Sequence, residues 1–268
     1  MKAYGFIGLG SQGAPMAQRM IKAGLPVVLW ARRKESLSPF EGGNVTFAQS
    51  IESLASQVDC CCLCVVDDAG VQQVCDQLIP AMNPGSLIVV HSTVTPQLCI
   101  KLAKQAKQKG LALIDAPVSG GGLGAEQGTL CVMAGGEPVD VDRARPMFNT
   151  FAKSVFHLGK VGAGQQAKLV NNNLMAANMS LAYHAMAIAQ SLDIERDAFT
   201  QLVRESSGRS FAFDVCARMK QPSDFKHGAE LLNKDVNLLG EVINGNQHYL
   251  AIRQVSDQFL SLALTETP

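Results

Sequence analysis

The chain is 268 residues long, with 47% apolar and 17% charged residues. That is enough for one large domain or two ordinary ones, and too apolar for disorder. Lys plus Arg and Asp plus Glu number 23 each, for a formal net charge of zero, which argues against a chain-wide nucleic-acid footprint. No apolar run approaches the roughly 18 residues of a membrane span, so the expected protein is soluble, with neither nucleic acid nor membrane among its partners.

The run Ala3–Gly8 predicts the first strand of a mature domain rather than a signal peptide, because glycines interrupt it and Arg19 follows soon after. Ala14–Ala23 has helical spacing, with Met16, Met20 and Ile21 on one side and Gly24 as a stop. Strand-length apolar runs recur at Val27–Ala31, Cys60–Val66, Leu87–His91 and Leu111–Ile114. Between them, Ala48–Ser56, Gly70–Met82 and Pro96–Gly110 are long enough for crossover helices. Such alternation predicts a doubly wound parallel sheet with helices on both faces. Ala116–Gly136 is rich in glycine, and Pro138–Phe151 reads as a helix.

Beyond Gly164 the texture changes. Gln165–Leu192 holds neither Gly nor Pro, which predicts a helix roughly 40 Å long. Arg196–Ser206, Phe211–Lys220, Ala229–Asn244 and Tyr249–Ala263 are helical as well, and no strand pattern survives past about Phe156. The expected organisation is an α/β Rossmann domain over residues 1–162, followed by an all-α substrate and oligomerisation domain over 163–268. The alanine-rich long helix carries more apolar face than one small domain covers, so a homo-oligomer, dimer or tetramer, is expected.

There are eight cysteines, four of them crowded into Cys60-Cys61-Cys62-Leu63-Cys64. On a strand, alternate side chains face opposite ways, so these four do not converge on one metal. They read as small core residues of a reducing compartment, the cytoplasm. His91, His157, His184, His227 and His248 show no metal-ligand spacing and read as structural, so no metal is expected.

Gly8-Leu9-Gly10-Ser11-Gln12-Gly13 follows a strand and opens a helix, the setting a dinucleotide fingerprint requires. Gly8 permits the turn, Gly10 admits a pyrophosphate, and Gly13 lets helix and strand pack. The second strand ends in Ala31-Arg32-Arg33-Lys34, without the acid that would bind the ribose of NAD. Guanidiniums at Arg32 and Arg33 suit a 2′-phosphate, so NADP is favoured, with NAD possible. Asp115-Ala116-Pro117-Val118-Ser119-Gly120-Gly121-Gly122 exposes consecutive N–H groups beside a hydroxyl, either an anion nest or a flexible loop. Lys168 and Asn172 share a helix face. Lys168, expected in the first turn after Gly164, would have its ammonium pKa lowered by the helix dipole.

Taken in order, these motifs together with Lys234-Asp235 resemble the β-hydroxyacid dehydrogenase family. The resemblance runs to about residue 240. It implies that Lys168 is the catalytic lysine and Asn172 its substrate-binding partner, while Ser119, Gly120 and Gly121 hold the substrate carboxylate. Gly8, Leu9, Gly10, Ser11, Gln12, Arg32, Arg33, Val65, Val66, Thr93 and Lys234 would contact the cofactor. The implied reaction moves a hydride between NADP(H) and a short 3-hydroxy acid or its semialdehyde. Alternatives are an imine reductase, a group that usually replaces the lysine, and a non-catalytic nucleotide sensor. His184 and His227 depart from the family pattern, as does the absence of its glycine- and aspartate-bearing tail after Leu264.

Overall fold

The computed structural model describes residues 3–42 and 45–265. Strands Tyr4–Ile7 (β1), Val27–Trp30 (β2), Val45–Phe47 (β3), Cys60–Leu63 (β4), Leu87–Val90 (β5) and Ala112–Asp115 (β6) form one sheet. Their order is β3-β2-β1-β4-β5-β6, and every pair is parallel. Helices Gly13–Lys22 (α1), Ile51–Ala55 (α2), Asp68–Ala81 (α3) and Pro96–Gln108 (α4) connect them. This is the doubly wound arrangement that the alternating pattern predicts.

Fully buried strands explain the near-continuous apolar runs. On one face, Phe6, Leu29 and Cys62 pack with Met16 and Met20 of α1. On the other, Ile7, Val28 and Cys61 pack with Leu54, Val71 and Leu78. Cys60 and Cys62 thus face away from Cys61, and all eight cysteines are free. Each large side chain so buried contributes about 1.5–3 kcal/mol. Two of the crossover helices start on these side-chain caps: Asp67 accepts from the Gly70 N–H for α3, and Thr95 from the Leu98 N–H for α4.

The glycine-rich stretch 116–136 carries regular structure that the sequence pattern does not mark. It holds Val118–Ser119 (β7), the helix Gly121–Gln127 (α5) and Leu130–Ala134 (β8). With Ala152–His157 (β9), which follows the helix Pro138–Phe151 (α6), these strands make a second sheet in the order β7-β8-β9. Two residues of β7 leave no periodicity to read, and β9 is half-exposed along most of its length, without an apolar run. The short β3 escapes for the same reason.

Helices Ala163–Ser191 (α7), Arg196–Glu205 (α8), Phe211–Arg218 (α9), Lys226–Val242 (α10) and Gln247–Leu264 (α11) complete the chain. Among the described residues no strand lies beyond His157. The chain divides into two compact units, Met1–Lys168 and Leu169–Pro268. In the second, Met179 and Met186 of α7 pack with Phe213, Val236 and Phe259. Among the described residues, no helix is long and apolar enough to cross a membrane.

Candidate functional site

The strand order reverses between β1 and β4, and in such sheets a crevice opens at the carboxyl ends of those two strands. The glycine loop leaves β1 there. Gly8 has φ of 100°, and a Cβ on it would stand 2.2 Å from the Cys64 carbonyl oxygen. A Cβ on Gly13 would stand 2.0 Å from the Gly8 oxygen, whereas one on Gly10 would meet nothing within 4 Å. Two glycines therefore serve packing, and the third faces open space. That space is part of a cavity of about 580 Å³. Gly8, Leu9 and Gly10 line it from the first loop, Arg32 and Arg33 from the end of β2, and Val65 and Val66 from the end of β4. Ser11 and Gln12 lead into α1, which starts without a side-chain cap; the Ala14 N–H bonds the Gly10 oxygen and Pro15 has no N–H, which leaves the amides ahead of Ala14 to face an anion. A nicotinamide dinucleotide fits this cradle by shape and by the sign of its charges.

Ser119 ends β7, and Gly120 and Gly121, with φ of 129° and 64°, turn the chain into α5. Gly122 sits against the first loop, its would-be Cβ 2.8 Å from the Ser11 oxygen. Across the second sheet Ser119 pairs with Cys131. The Cys131 thiol is raised by burial, an effect that the Lys168 ammonium opposes, so Lys168 lies within electrostatic reach of the strand beside Ser119. Lys168 itself is 9% exposed. One expectation needs correction. Because α7 opens at Ala163, Lys168 stands in the second turn rather than the first. The dipole's influence fades within the first turn, so it gives little reason for a lowered lysine pKa.

Three polar residues without an assigned role in the sequence reading hold this region. The Asp115 carboxylate is buried and accepts from the Gly162 N–H at 2.6 Å and the Gln165 N–H at 2.8 Å. Burial pushes its pKa up to about 6 against the pull of these bonds. The Gln165 side chain, also buried, accepts from the Val94 N–H and donates to the Ser92 carbonyl, the peptide groups flanking Thr93. Ser92 Oγ accepts from the Val65 N–H at 2.8 Å. His91 sits beneath, its Nδ1 2.7 Å from the Ala116 oxygen and its ring among Phe6, Phe148 and Phe151. Desolvation pushes its pKa down to about 4, so the ring is neutral and Nδ1–H donates. A buried acid at a strand end, followed by Pro117, is the signal that could have drawn attention to Asp115.

In the second unit, Asn172 Nδ2 donates to Asp235 Oδ2 at 2.6 Å, and Lys234 Nζ lies 3.4 Å from Asp235 Oδ1. Asn172, Lys234 and Asp235 thus form one cluster, in which Asp235 is buried. Among the described residues no group of three or more His, Cys, Asp or Glu is placed to hold a metal ion.

Known proteins agree with this architecture. The family described as the NAD binding domain of 6-phosphogluconate dehydrogenase matches residues 3–159, and that described as the NAD-binding domain of NADP-dependent 3-hydroxyisobutyrate dehydrogenase matches 162–267. The NAD-dependent L-serine dehydrogenase of Pseudomonas aeruginosa is 33% identical over 90% of this chain and 85% of its own. The 2-(hydroxymethyl)glutarate dehydrogenase of Eubacterium barkeri is 31% identical over 87% of this chain and 80% of its own. The solved structure of Mycobacterium tuberculosis 3-hydroxyisobutyrate dehydrogenase with L-serine superposes with a TM-score of 0.85 at 26% identity, covering 97% of this chain and 94% of that one. With its glycine cradle, its Ser119 segment and its lysine-bearing helix, the chain belongs to the β-hydroxyacid dehydrogenase family.

Proposed function

We propose that the protein is an NADP(H)-dependent dehydrogenase that interconverts a short 3-hydroxy acid and its semialdehyde. The observation that carries this is the gathering, within residues 1–168, of the glycine-lined cavity, the Ser119 segment and the buried Lys168. The named substrates of the relatives above share a primary alcohol two carbons from a carboxylate carbon, and that pattern is the proposed substrate class. Residues 1–162 are proposed as the dinucleotide-binding domain and 163–268 as the substrate and oligomerisation domain.

When bound, the nicotinamide supplies or takes up the hydride. Gly8, Leu9, Gly10, Ser11 and Gln12 receive its phosphates, Val65, Val66, Thr93 and Lys234 make further contacts, and Arg32 and Arg33 meet the 2′-phosphate. The Ser119 hydroxyl and the Gly120 and Gly121 N–H groups hold the substrate carboxylate, as two consecutive positive-φ glycines allow. A carbonyl being reduced gathers negative charge on oxygen; the Lys168 ammonium stabilises that charge and donates the proton. In oxidation the neutral amine takes the proton back. Asn172 orients the substrate, its amide anchored on Asp235. A reducing cytoplasmic setting is supported by eight unpaired cysteines.

The test is NADPH oxidation followed at 340 nm with short semialdehydes, including those of 3-hydroxyisobutyrate and 2-(hydroxymethyl)glutarate. Turnover with at least one carboxylate-bearing semialdehyde, and none with imines, is the expected result. NADPH binding without turnover of any of them would favour a nucleotide sensor instead.

A further inference from the structure

We infer that Asp115 and Gln165 are the positioning residues of this site, fixing the opening turn of α7, and through it Lys168, against the segments that carry Ser119 and Thr93. The inference deepens the proposed dehydrogenase reading and rests on it for the role of Lys168.

A helix usually takes its cap from the residue that precedes it, a Ser, Thr, Asp or Asn whose oxygen meets the free N–H groups. At α7 that place is held by Gly162, with φ of 98° and no side chain to offer. The acceptor comes from elsewhere in the chain: Asp115, 47 residues away, bonds the Gly162 N–H with one oxygen and the Gln165 N–H with the other. Space around the carboxylate has been cleared for it. A Cβ on Gly135 would lie 2.6 Å from Oδ1, and one on Gly164 would lie 2.9 Å from Oδ2. The Asp115 backbone also exchanges both of its hydrogen bonds with Gly135. A local cap would stabilise the helix equally well without burying a charge. What the distant carboxylate adds is registration. The end of β6, four residues before Ser119, is tied to the turn just before Lys168.

Gln165 supplies the second tie. Its amide grips the peptide groups on both sides of Thr93, and Ser92 passes the connection on to Val65 at the rim of the nucleotide cavity. The proton-transferring lysine, the carboxylate-holding serine and the cofactor-facing threonine are therefore held by one hydrogen-bonded unit. Reaction rates are sensitive to such registration, since a misplacement of about 1 Å can cost on the order of 100-fold.

The arrangement has a pH signature. Protonating Asp115 removes one of its two acceptor sites, and its pKa of about 6 puts that event within reach of ordinary buffers. Two buried neighbours, Cys99 and His91, stay out of that window, while the exposed His157 ring bonds the Gly136 and Gly159 carbonyls on the far side of Gly135. Burial holds Cys99 of α4 well above the ordinary thiol range. His91, which reaches the same segment through Ala116, stays neutral down to about pH 4. Lys168 on α7 is the neighbour whose placement is read, Lys160 in the preceding turn is exposed, and Asp68, which acts on Cys99, bonds Thr95.

The experiment compares the full-length wild type with Asp115→Asn and Gln165→Ala, each checked for an unchanged circular dichroism spectrum. Amide hydrogen exchange over residues 162–168, with and without NADPH, is read from pH 5 to 8, alongside turnover of the best semialdehyde. In the wild type, protection of the Gly162 and Gln165 amides should fall at least tenfold on going from pH 7 to 5, and turnover should show an acid limb near pH 6. Asp115→Asn should lose protection at every pH, lack that limb and lower kcat by roughly 10–100-fold, with NADPH affinity within threefold of wild type. Gln165→Ala should keep those amides protected and instead loosen residues 92–94. Wild-type kcat, acid limb and protection in Asp115→Asn would overturn the inference, as would losses shared equally by NADPH binding and kcat. The exchange data stand even if no semialdehyde is turned over, so failure of the dehydrogenase reading is separately visible.

Discussion

Arg32 and Arg33 stand exposed at the tip of β2, on the wall of the cavity that opens at Gly8 and Gly10. A charge-assisted contact to a 2′-phosphate contributes roughly 1.5–3 kcal/mol, so Arg32→Asp should weaken NADPH binding on the order of tenfold to a hundredfold and leave NADH binding equal or better. Titrations of both nucleotides check this, and equal use of NADP and NAD by the wild type would contradict it. His91 carries a second prediction at this scale. An imidazole that binds its proton near 6.5 in an open chain, but only near 4 inside the fold, gains a proton on unfolding throughout that window. Stability from this group is therefore full above about pH 6.5 and is lost as pH falls toward 4, by about 3 kcal/mol. Asp115 works in the opposite sense. Its folded pKa is raised from 3.8 to about 6, so its burial costs stability above pH 6 and that cost is relieved on acidification. The two nearly cancel between pH 6 and 4. Urea unfolding of His91→Phe, which removes one of them, should show stability rising relative to wild type by about 3 kcal/mol from pH 7 to 4. A constant difference across that range would show that the ring is not held neutral.

Among the elements, the loop from β1 into α1 was legible from sequence because glycine at three fixed places has no substitute: Gly8 and Gly13 lack room for a Cβ, and Gly10 opens on the cavity. Gly10→Ala should accordingly fold normally yet bind NADPH at least tenfold more weakly, whereas Gly13→Ala, whose Cβ would strike the Gly8 oxygen, should unfold at lower temperature. Calorimetry with and without NADPH separates the two effects. The second sheet was not legible, because β7 is two residues long and β9 returns to β8 only after the whole of α6. The roles of Asp115 and Gln165 were hidden for a related reason. Each works through bonds that span 47 to 73 residues, and no local periodicity reports such contacts. Lys168 is legible as a helix residue but lies one turn deeper than its sequence suggests, since the helix begins at Ala163, between Gly162 and Gly164.

On the scale of the whole molecule, α7 carries a second apolar stripe that its own unit leaves uncovered. Leu174, Leu181 and Ile188 recur at intervals of seven and are 53%, 59% and 60% exposed, with Val170 and Leu192 extending the line. Seven-residue spacing is the seam of helix-on-helix packing, which supports the proposed homo-oligomer. Leu181→Glu should shift the protein toward monomer in light scattering at micromolar concentration; a wild type that is already monomeric would contradict the proposal. The central claim is that Lys168 moves the proton in a dehydrogenase reaction. It is tested most directly by the turnover of Lys168→Ala with NADPH and the best semialdehyde, measured beside its NADPH dissociation constant. The expected result is a loss of roughly 10²–10⁴-fold in kcat with NADPH affinity within twofold of wild type, and no recovery in Lys168→Arg, whose guanidinium does not readily release a proton. Near-normal kcat in Lys168→Ala would contradict the account.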